Sequence, residues 1–411
     1  MVQSSHNNAK GGVFPMRTAG IICEFNPLHK GHGWMMEEVR RKGADAIVCA
    51  MSGNFVQRGE AAVADKLARA EMAVRCGADL VLELPTPWAA ATAEQFARGG
   101  VELLHKTGVV TDLAFGSECG DAADLQQLAA ALDSAEYEEN LRSLLTGGES
   151  FAVCRQKAAA MIVGEDAAAL LASPNNNLGI EYCRAMHRVG ADMNLITVPR
   201  RGASHDGAPA EGIASASHIR TLLRQGKTEE AFSYMPPEAA DVLRRELAAG
   251  RAPAALHNCE RAVLAKLRAM AEEDFAPYDT SGEGLYHRLY EAVRSETSVE
   301  AILDAAKSKR YSHARLRRMV LHAWLDMKEV PADVPYLRVL AANETGRKLL
   351  RKMRDGGAPV LTKAADVAAL GAEAEALFTT EALRTDLYTL SFPDLAQSAC
   401  GRDWRVTPIM L

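Results

Sequence analysis

The chain has 411 residues, with 47 Lys+Arg against 53 Asp+Glu and a formal net charge of −6. Hydrophobic residues at 48% and charged ones at 24% exclude disordered and fibrous classes, and the length predicts two or three domains whose core needs no staples. The acidic balance argues against an indiscriminate polyanion binder, and no stretch approaches the ~18 uninterrupted apolar residues of a membrane helix.

Residues 1–17 are polar, lack the apolar segment of a secretion signal and read as a flexible extension. Strands and helices then alternate. Ala19–Phe25 (AGIICEF) reads as a strand, followed by a loop and a helix over His32–Lys42. Ala46–Met51 is a second strand, Asp65–Cys76 an amphipathic helix stopped by Gly77, and Asp79–Leu84 a third strand closed by Pro85 and Pro87. Thr92–Lys106 reads as helix, Asp112–Phe115 as a fourth strand, and Ala122–Thr146 as helical. A further helix and strand follow at Gly179–His187 and Met193–Val198. This alternation of continuous apolar strands with helices predicts an α/β fold, a Rossmann-like domain with a parallel sheet over 18–230. From about Gly226 to about Leu350 the pattern turns mostly helical, which predicts a mainly α-helical C-terminal domain over 231–411. The eight cysteines are scattered, without CxxC pairs or Cys/His zinc spacing, as expected of reduced thiols in a cytoplasmic protein.

Ligands of parallel sheets bind outside the carboxyl ends of the strands, and the sharpest motif lies there: Glu24-Phe25-Asn26-Pro27-Leu28-His29-Lys30-Gly31-His32, between the first strand and the first helix. Pro27 ends the strand, Gly31 permits close backbone approach, and the helix start offers N–H groups and a positive dipole end to an anion. His29 and His32 add two imidazoles aimed at the same place. Phosphate handling in nucleotidylyl transfer needs such alignment and charge stabilisation, and no covalent nucleophile. As metal ligands the two histidines lack a third partner at helical spacing. Gln225-Gly226-Lys227-Thr228 resembles the end of a Walker loop, but Thr221 stands where its first glycine belongs.

The His29-Lys30-Gly31-His32 signature resembles the HxGH nucleotidyltransferase superfamily. Its surroundings are more specific. Cys23–His29, Met51–Gly59 (MSGNFVQRG), Leu82-Glu83-Leu84-Pro85, Phe115-Gly116-Ser117-Glu118, Pro174-Asn175-Asn176, Ser215–Arg220 (SASHIR) and the tail Pro408-Ile409-Met410-Leu411 resemble the bacterial tRNA(Met) cytidine acetate ligase family, from about Thr18 to the last residue. Such proteins activate acetate with ATP to acetyl-adenylate and acetylate N4 of the wobble cytidine of elongator tRNA(Met). The resemblance implies an ATP-binding segment Ile22-Cys23-Glu24-Phe25-Asn26-Pro27-Leu28-His29-Lys30-Gly31-His32-Gly33-Trp34-Met35, with His29 and His32 as the catalytic pair on the phosphates. Gly116 would let adenosine lie against backbone, Asn175 and Asn176 would contact the nucleotide, and Arg200 or Arg201 would hold a phosphate. The stretch after those arginines is one residue shorter than the family pattern, so the choice between them stays open. Ser217 and Arg220 would close over the leaving pyrophosphate. Mg²⁺ accompanying ATP is the expected cofactor, and no acidic metal cluster stands out.

RNA contact must come from local charge. The run Lys307–Arg318 contains Lys309, Arg310, Arg315, Arg317 and Arg318 around Tyr311, and a second run contains Arg347, Lys348, Arg351, Lys352 and Arg354. Basic runs with an interleaved aromatic are how phosphate-contacting and base-stacking surfaces are built, although a basic helical face is often only solvated. The expected function is an ATP-dependent acetate–tRNA ligase. A small-molecule adenylyltransferase of the same fold, or an RNA-binding adaptor with a vestigial nucleotide pocket, are the competing readings. The Met51–Gly59 loop lines either acetate or cytosine, or acts as a lid.

Overall fold

The computed structural model describes residues 16–147, 149–200, 212–279, 284–308 and 311–411. Its main elements, in chain order, are β1 (Thr18–Cys23), α1 (Lys30–Arg41), β2 (Ala46–Ser52), α2 (Lys66–Arg75), β3 (Leu80–Leu84), α3 (Ala93–Lys106), β4 (Asp112–Ser117), α4 (Pro174–Val189), β5 (Asn194–Pro199), α5 (Ala216–Arg224), α6 (His313–Trp324), β6 (Leu337–Ala342), α7 (Glu344–Asp355), β7 (Val360–Leu361), α8 (Ala372–Thr389), α9 (Arg402–Arg405) and β8 (Ile409–Met410). The sheet order is β8-β6-β3-β2-β1-β4-β5, with β7 also paired to β6.

The first five strands are mutually parallel, with Ile21 of β1 opposite Cys49 of β2 on one side and Ala114 of β4 on the other. Both faces are covered, so the strands are apolar throughout. In β2, Ala46, Val48 and Ala50 face a core shared with Phe96 and Leu104 of α3 and Ile180 of α4. The alternate residues Ile47, Cys49 and Met51 face Met36 of α1, Met72 of α2 and Leu222 of α5. Chain order runs outward from β1 in both directions, to β2 and β3 on one side and to β4 and β5 on the other. The crevice between β1 and β4 is therefore the switch point at which such sheets hold ligands.

The elements from 260 to 324 are helical and build a core of their own, including Val263, Leu289, Leu316 and Trp324. The stretch beyond residue 230 is mainly helical, as expected, but not only so: β6, β7 and β8 return to the sheet, β6 antiparallel to β3 with Leu80 opposite Ala342. The helical core is also joined to the first half: Phe55 and Ala61, from the short hairpin Phe55–Val56/Glu60–Ala61, are members of it. At the other end, residues 1–15 lie outside the described residues, whereas Arg17 belongs to the fold, paired with Asp112 at 2.7 Å. The eight cysteines are free thiols, and among the described residues no helix is long and apolar enough to cross a membrane.

Candidate active site

A cavity of about 400 Å³ opens at the carboxyl ends of the parallel strands, directly over the β1/β4 crevice. β1 ends at Cys23, two residues before the expected limit, and the chain turns through Phe25, which holds a φ of +45°. That is the left-handed region, costly for an aromatic residue and kept only where the surroundings enforce it. They do so here: Val63 N–H donates to Asn26 Oδ1 at 2.7 Å, and the Arg69 guanidinium donates to the Glu24 carbonyl at 2.6 Å, to those of Ser52 and Ala64, and to that of Gly53. Arg69 is wholly buried. It ties together the loops leaving β1 and β2 with the entry to α2.

His29 is the N-cap of α1. Its Nδ1 accepts from Gly31 N–H at 3.1 Å, while His29 N–H donates to Nδ1 of His32 at 3.2 Å. The two rings stack with centroids 3.7 Å apart, and Phe25 meets His32 edge-on at 5.0 Å. A backbone N–H can only donate, so each Nδ1 must be unprotonated, and each neutral ring carries its proton on Nε2. Burial pushes His29 down to about 3, helped by the positive charge of Arg200. Burial, His29 and Arg200 together hold His32 well below the usual imidazole range. The site therefore presents two neutral Nε2–H donors that stay neutral through the physiological range.

One expectation is corrected in detail. The first-turn N–H groups of α1 are not vacant: Lys30 N–H donates to Tyr234 O at 3.0 Å, Gly31 N–H to His29 Nδ1, and His32 N–H to His29 O at 2.9 Å. That leaves the imidazoles and Arg200, rather than these N–H groups, as the groups that could meet an anion, with the helix dipole behind them.

The structure brings most of the expected residues into this cavity and leaves some out. Ile22, Cys23, Glu24, Phe25, Asn26, His29, Gly31, His32, Trp34, Met35, Gly116, Asn175, Arg200, Ser217 and Arg220 line it. Pro27 and Leu28 are buried beneath it, Lys30 is exposed, and Gly33 faces Pro236. Asn176 is also outside the lining: its Oδ1 accepts from Ser117 Oγ, Glu118 N–H and Cys119 N–H, which shapes the turn after β4. Glu118 in return accepts from Asn175 N–H and Nδ2 and from Asn176 N–H, anchoring the first turn of α4. At Gly116 a Cβ would meet nothing nearer than 3.7 Å. Its backbone and neighbours do not demand glycine, so what a side chain would occupy there is cavity. Arg200 lies beside it, whereas Arg201 is outside the described residues.

The residues that sequence reasoning passed over are Phe96, Phe115, Leu178 and Tyr182, which give the cavity an apolar wall with Phe115 next to Gly116, and Glu60, which adds a carboxylate to the lining. Arg69 was missed because an arginine in an amphipathic helix resembles a solvated one; its place among alanines of the buried face was the signal.

The hairpin contributes Val56, Gln57, Arg58 and Glu60 to the wall. It is held from below by Gln57 N–H donating to Glu24 at 2.8 Å and from above by α6. There the expected RNA contacts are revised. Lys309 and Arg310 lie outside the described residues. Arg315 reaches Asp279 at 3.1 Å and stacks over Tyr311, Arg317 pairs with Glu60 at 3.2 Å, and Arg318 is directed at Gln57 O and pushed down to about 10 by burial. Arg317 and Arg318 dock α6 onto the cavity wall, while Arg315 is held within the helical part. Arg351 is exposed on α7 with Arg347, Lys348, Lys352 and Arg354, because Leu349, Leu350 and Met353 turn the other face inward.

Gly59, at φ +76° in the hairpin turn, lies so close under α6 that a Cβ would stand 2.5 Å from Arg318 N. Gly59→Ala combines left-handed strain with a backbone collision and is expected to cost about 2–4 kcal/mol, read as a lower urea midpoint.

Acidification should also destabilise the protein through its buried imidazoles. His322, whose Nε2–H meets Ala90 O at 2.8 Å, is pushed down to about 4 by burial. Unfolded, all three rings titrate near their ordinary value of ~6.5. Above that pH they cost nothing. Below it the unfolded chain takes up protons that the native rings refuse, so stability falls as pH drops toward the folded values, at up to about 1.4 kcal/mol per unit per ring. Urea midpoints between pH 7 and 5 should show this, with a shallower slope in His322→Gln.

A sequence profile of the HIGH Nucleotidyl Transferase family matches residues 16–403. The chain is similar to the tRNA(Met) cytidine acetate ligase of Syntrophomonas wolfei subsp. wolfei, 34% identical over 413 residues that cover 96% of this chain and 99% of the relative. It is 35% identical to that of Caldanaerobacter subterraneus subsp. tengcongensis, over 93% and 97% of the two chains. The crystal structure of Thermotoga maritima TmcAL in its apo form matches with a TM-score of 0.92 at 32% identity, over 96% of this chain and 100% of that one. The form bound with alpha-thio ATP matches at 0.90. The parallel sheet, the HxGH turn at its switch point and this likeness over nearly the full length place the chain in the tRNA(Met) cytidine acetate ligase family of HIGH nucleotidyl transferases.

Proposed function

We propose that this protein is an ATP-dependent ligase that forms acetyl-adenylate from acetate and ATP and transfers the acetyl group to N4 of the wobble cytidine of elongator tRNA(Met). The observation that carries the reading is the stacked pair His29 and His32, locked as neutral Nε2–H donors beside Arg200 at the switch point. In the first step an acetate oxygen attacks the α-phosphorus and the bond to pyrophosphate breaks. His29 and His32 donate to the phosphate oxygens on which charge grows, and Arg200 adds a fixed positive charge; none of the three has to change protonation state. Adenosine would lie along the apolar wall, against Gly116, Phe115 and Leu178, with Asn175 nearby. Ser217 and Arg220 would receive the pyrophosphate.

In the second step N4 of cytidine attacks the acetyl carbonyl, AMP leaves, and N4 gives up one proton. A cytosine amine is a weak nucleophile, so positioning by bound RNA supplies much of the rate. The exposed basic face of α7 around Arg351 is the surface best suited to RNA phosphates; Arg315 and Arg318 are engaged within the chain, while Arg317, about one-third exposed on its pair with Glu60, is open to competition from a phosphate. The cavity carboxylates are also engaged, Glu24 by Gln57 N–H and Glu60 by Arg220 and Arg317. Among the described residues one group of potential metal ligands occurs, Glu300, Asp304 and His313, and none of them lines the cavity. Mg²⁺ would arrive with ATP on the triphosphate, where it needs at most one or two protein carboxylates.

ATP–pyrophosphate exchange tests the reading. Exchange should require acetate and ignore phosphorylated vitamin precursors; equal exchange with such a precursor would replace the ligase by a small-molecule adenylyltransferase.

A further inference from the structure

Glu60 ends the hairpin that walls the cavity, and its carboxylate is divided between arginines from two distant elements. One oxygen accepts from Arg220 Nη2 at 3.2 Å and the other from Arg317 Nη1 at 3.2 Å. Arg220, on α5, also donates to Asn26 O at 2.8 Å and lines the cavity. Arg317 lies on α6, whose Leu316, Met319 and Val320 belong to the helical core. The three side chains retain 17%, 29% and 32% exposure, in the order Arg220, Glu60 and Arg317. They are open enough for an incoming anion to compete, and screened enough that neither pair is strong. The backbone of Arg317 and Arg318 rests on Gly59, so hairpin and helix are in direct contact.

We propose that Glu60 is a positioning residue for the ligase reaction: it competes with pyrophosphate for Arg220, and Arg317 sets how strongly it competes. The proposal rests on the reading above, in which Arg220 receives the leaving pyrophosphate. A carboxylate shared by two cations turns to one when the other is drawn away. A phosphate of bound RNA that engages Arg317 leaves Glu60 to Arg220, where it displaces pyrophosphate after adenylate formation. Pyrophosphate or the ATP tail on Arg220 leaves Glu60 to Arg317, which weakens the hold on RNA; the two effects are reciprocal by linkage. The carboxylate thus ties release of the first product to arrival of the second substrate, with no movement larger than a side-chain swing.

The experiment measures the KM for pyrophosphate in acetate-dependent ATP–pyrophosphate exchange by the full-length protein. Glu60→Gln should lower that KM about fivefold, and Arg317→Met should raise it by about the same factor, the scale of partly exposed ion pairs. Saturating elongator tRNA(Met) should raise the wild-type KM toward that of Arg317→Met and leave Glu60→Gln unmoved. The opposite signs guard against simple loosening of the hairpin, which would shift both variants the same way. Shifts of equal sign, unchanged values, or a wild type indifferent to tRNA would overturn the proposal. Absence of acetate-dependent exchange in the wild type would instead remove the reaction on which it rests.

Discussion

His32→Ala is expected to lower acetate-dependent ATP–pyrophosphate exchange by about 10²–10³-fold, the usual loss when one preorganised donor to a developing oxyanion is removed. Two losses combine at this position. The cavity loses an Nε2–H donor, and the N–H of His29 loses the Nδ1 that accepts from it at 3.2 Å, so the cap that fixes the neighbouring imidazole loosens as well. His32→Gln separates the two. A glutamine at the third position of a helix can reach back to the N-cap N–H while offering an amide donor, so it should recover part of the rate. The change should appear mainly in kcat, because the interaction strengthens as charge builds on the phosphate. An alanine variant that exchanges at the wild-type rate would remove His32 from the chemistry.

Lys66→Met is expected to destabilise the fold by about 3–5 kcal/mol, the cost of leaving buried charge uncompensated. Lys66 Nζ lies 2.7 Å from both Glu83 and Asp403, and Arg338 lies 2.8 Å from Asp403 and 3.2 Å from Glu83, all four nearly solvent-free. Two positive and two negative charges balance there. Burial alone would raise the Asp403 carboxyl, but Lys66 and Arg338 outweigh it and hold the group below the usual carboxylate range. Methionine replaces the lysine stem with similar volume and leaves two carboxylates to one guanidinium. Adding Asp403→Asn restores the balance, so the double variant should be more stable than Lys66→Met alone, a coupling that urea denaturation can resolve. A single variant within 1 kcal/mol of the wild type would contradict this account of the cluster.

The same cluster explains why half of the sheet could be read from sequence and half could not. β1 to β5 stand out because each is a short apolar run closed by glycine, proline or a helix cap, and each pairs in parallel with the strand before or after it in chain order. The helix over Asp65–Cys76 differs from α2 by one residue at each end. β6 is just as apolar, LRVLAA, but it pairs antiparallel to β3, more than 250 residues earlier, within a stretch whose periodicity is otherwise helical. Local pattern does not encode that pairing. It is secured by side chains such as Arg338 on Asp403 and Lys66 on Asp403, whose partners no spacing rule reveals.

The active site divides along the same line. The HxGH turn is readable because its chemistry is compressed into nine consecutive residues. The first N–H groups of its helix are already satisfied, by Tyr234 O and by the cap His29, which is itself one of the two stacked histidines. Linear charge density does not show that Arg317 pairs with Glu60 or that Arg318 is directed at Gln57 O, because it cannot distinguish a solvated arginine from a seated one. A net charge of −6 was silent on RNA for a related reason: it sums over the chain, whereas α7 gathers its basic residues on one exposed face.

The central claim, acetyl transfer to tRNA, is tested most directly by mass spectrometry of nucleosides from elongator tRNA(Met) incubated with the protein, ATP and isotopically labelled acetate. The account predicts labelled N4-acetylcytidine at the wobble position, formed with AMP and pyrophosphate and lost in His32→Ala. Consumption of ATP with acetate but no labelled cytidine, or label at another nucleoside, would contradict it.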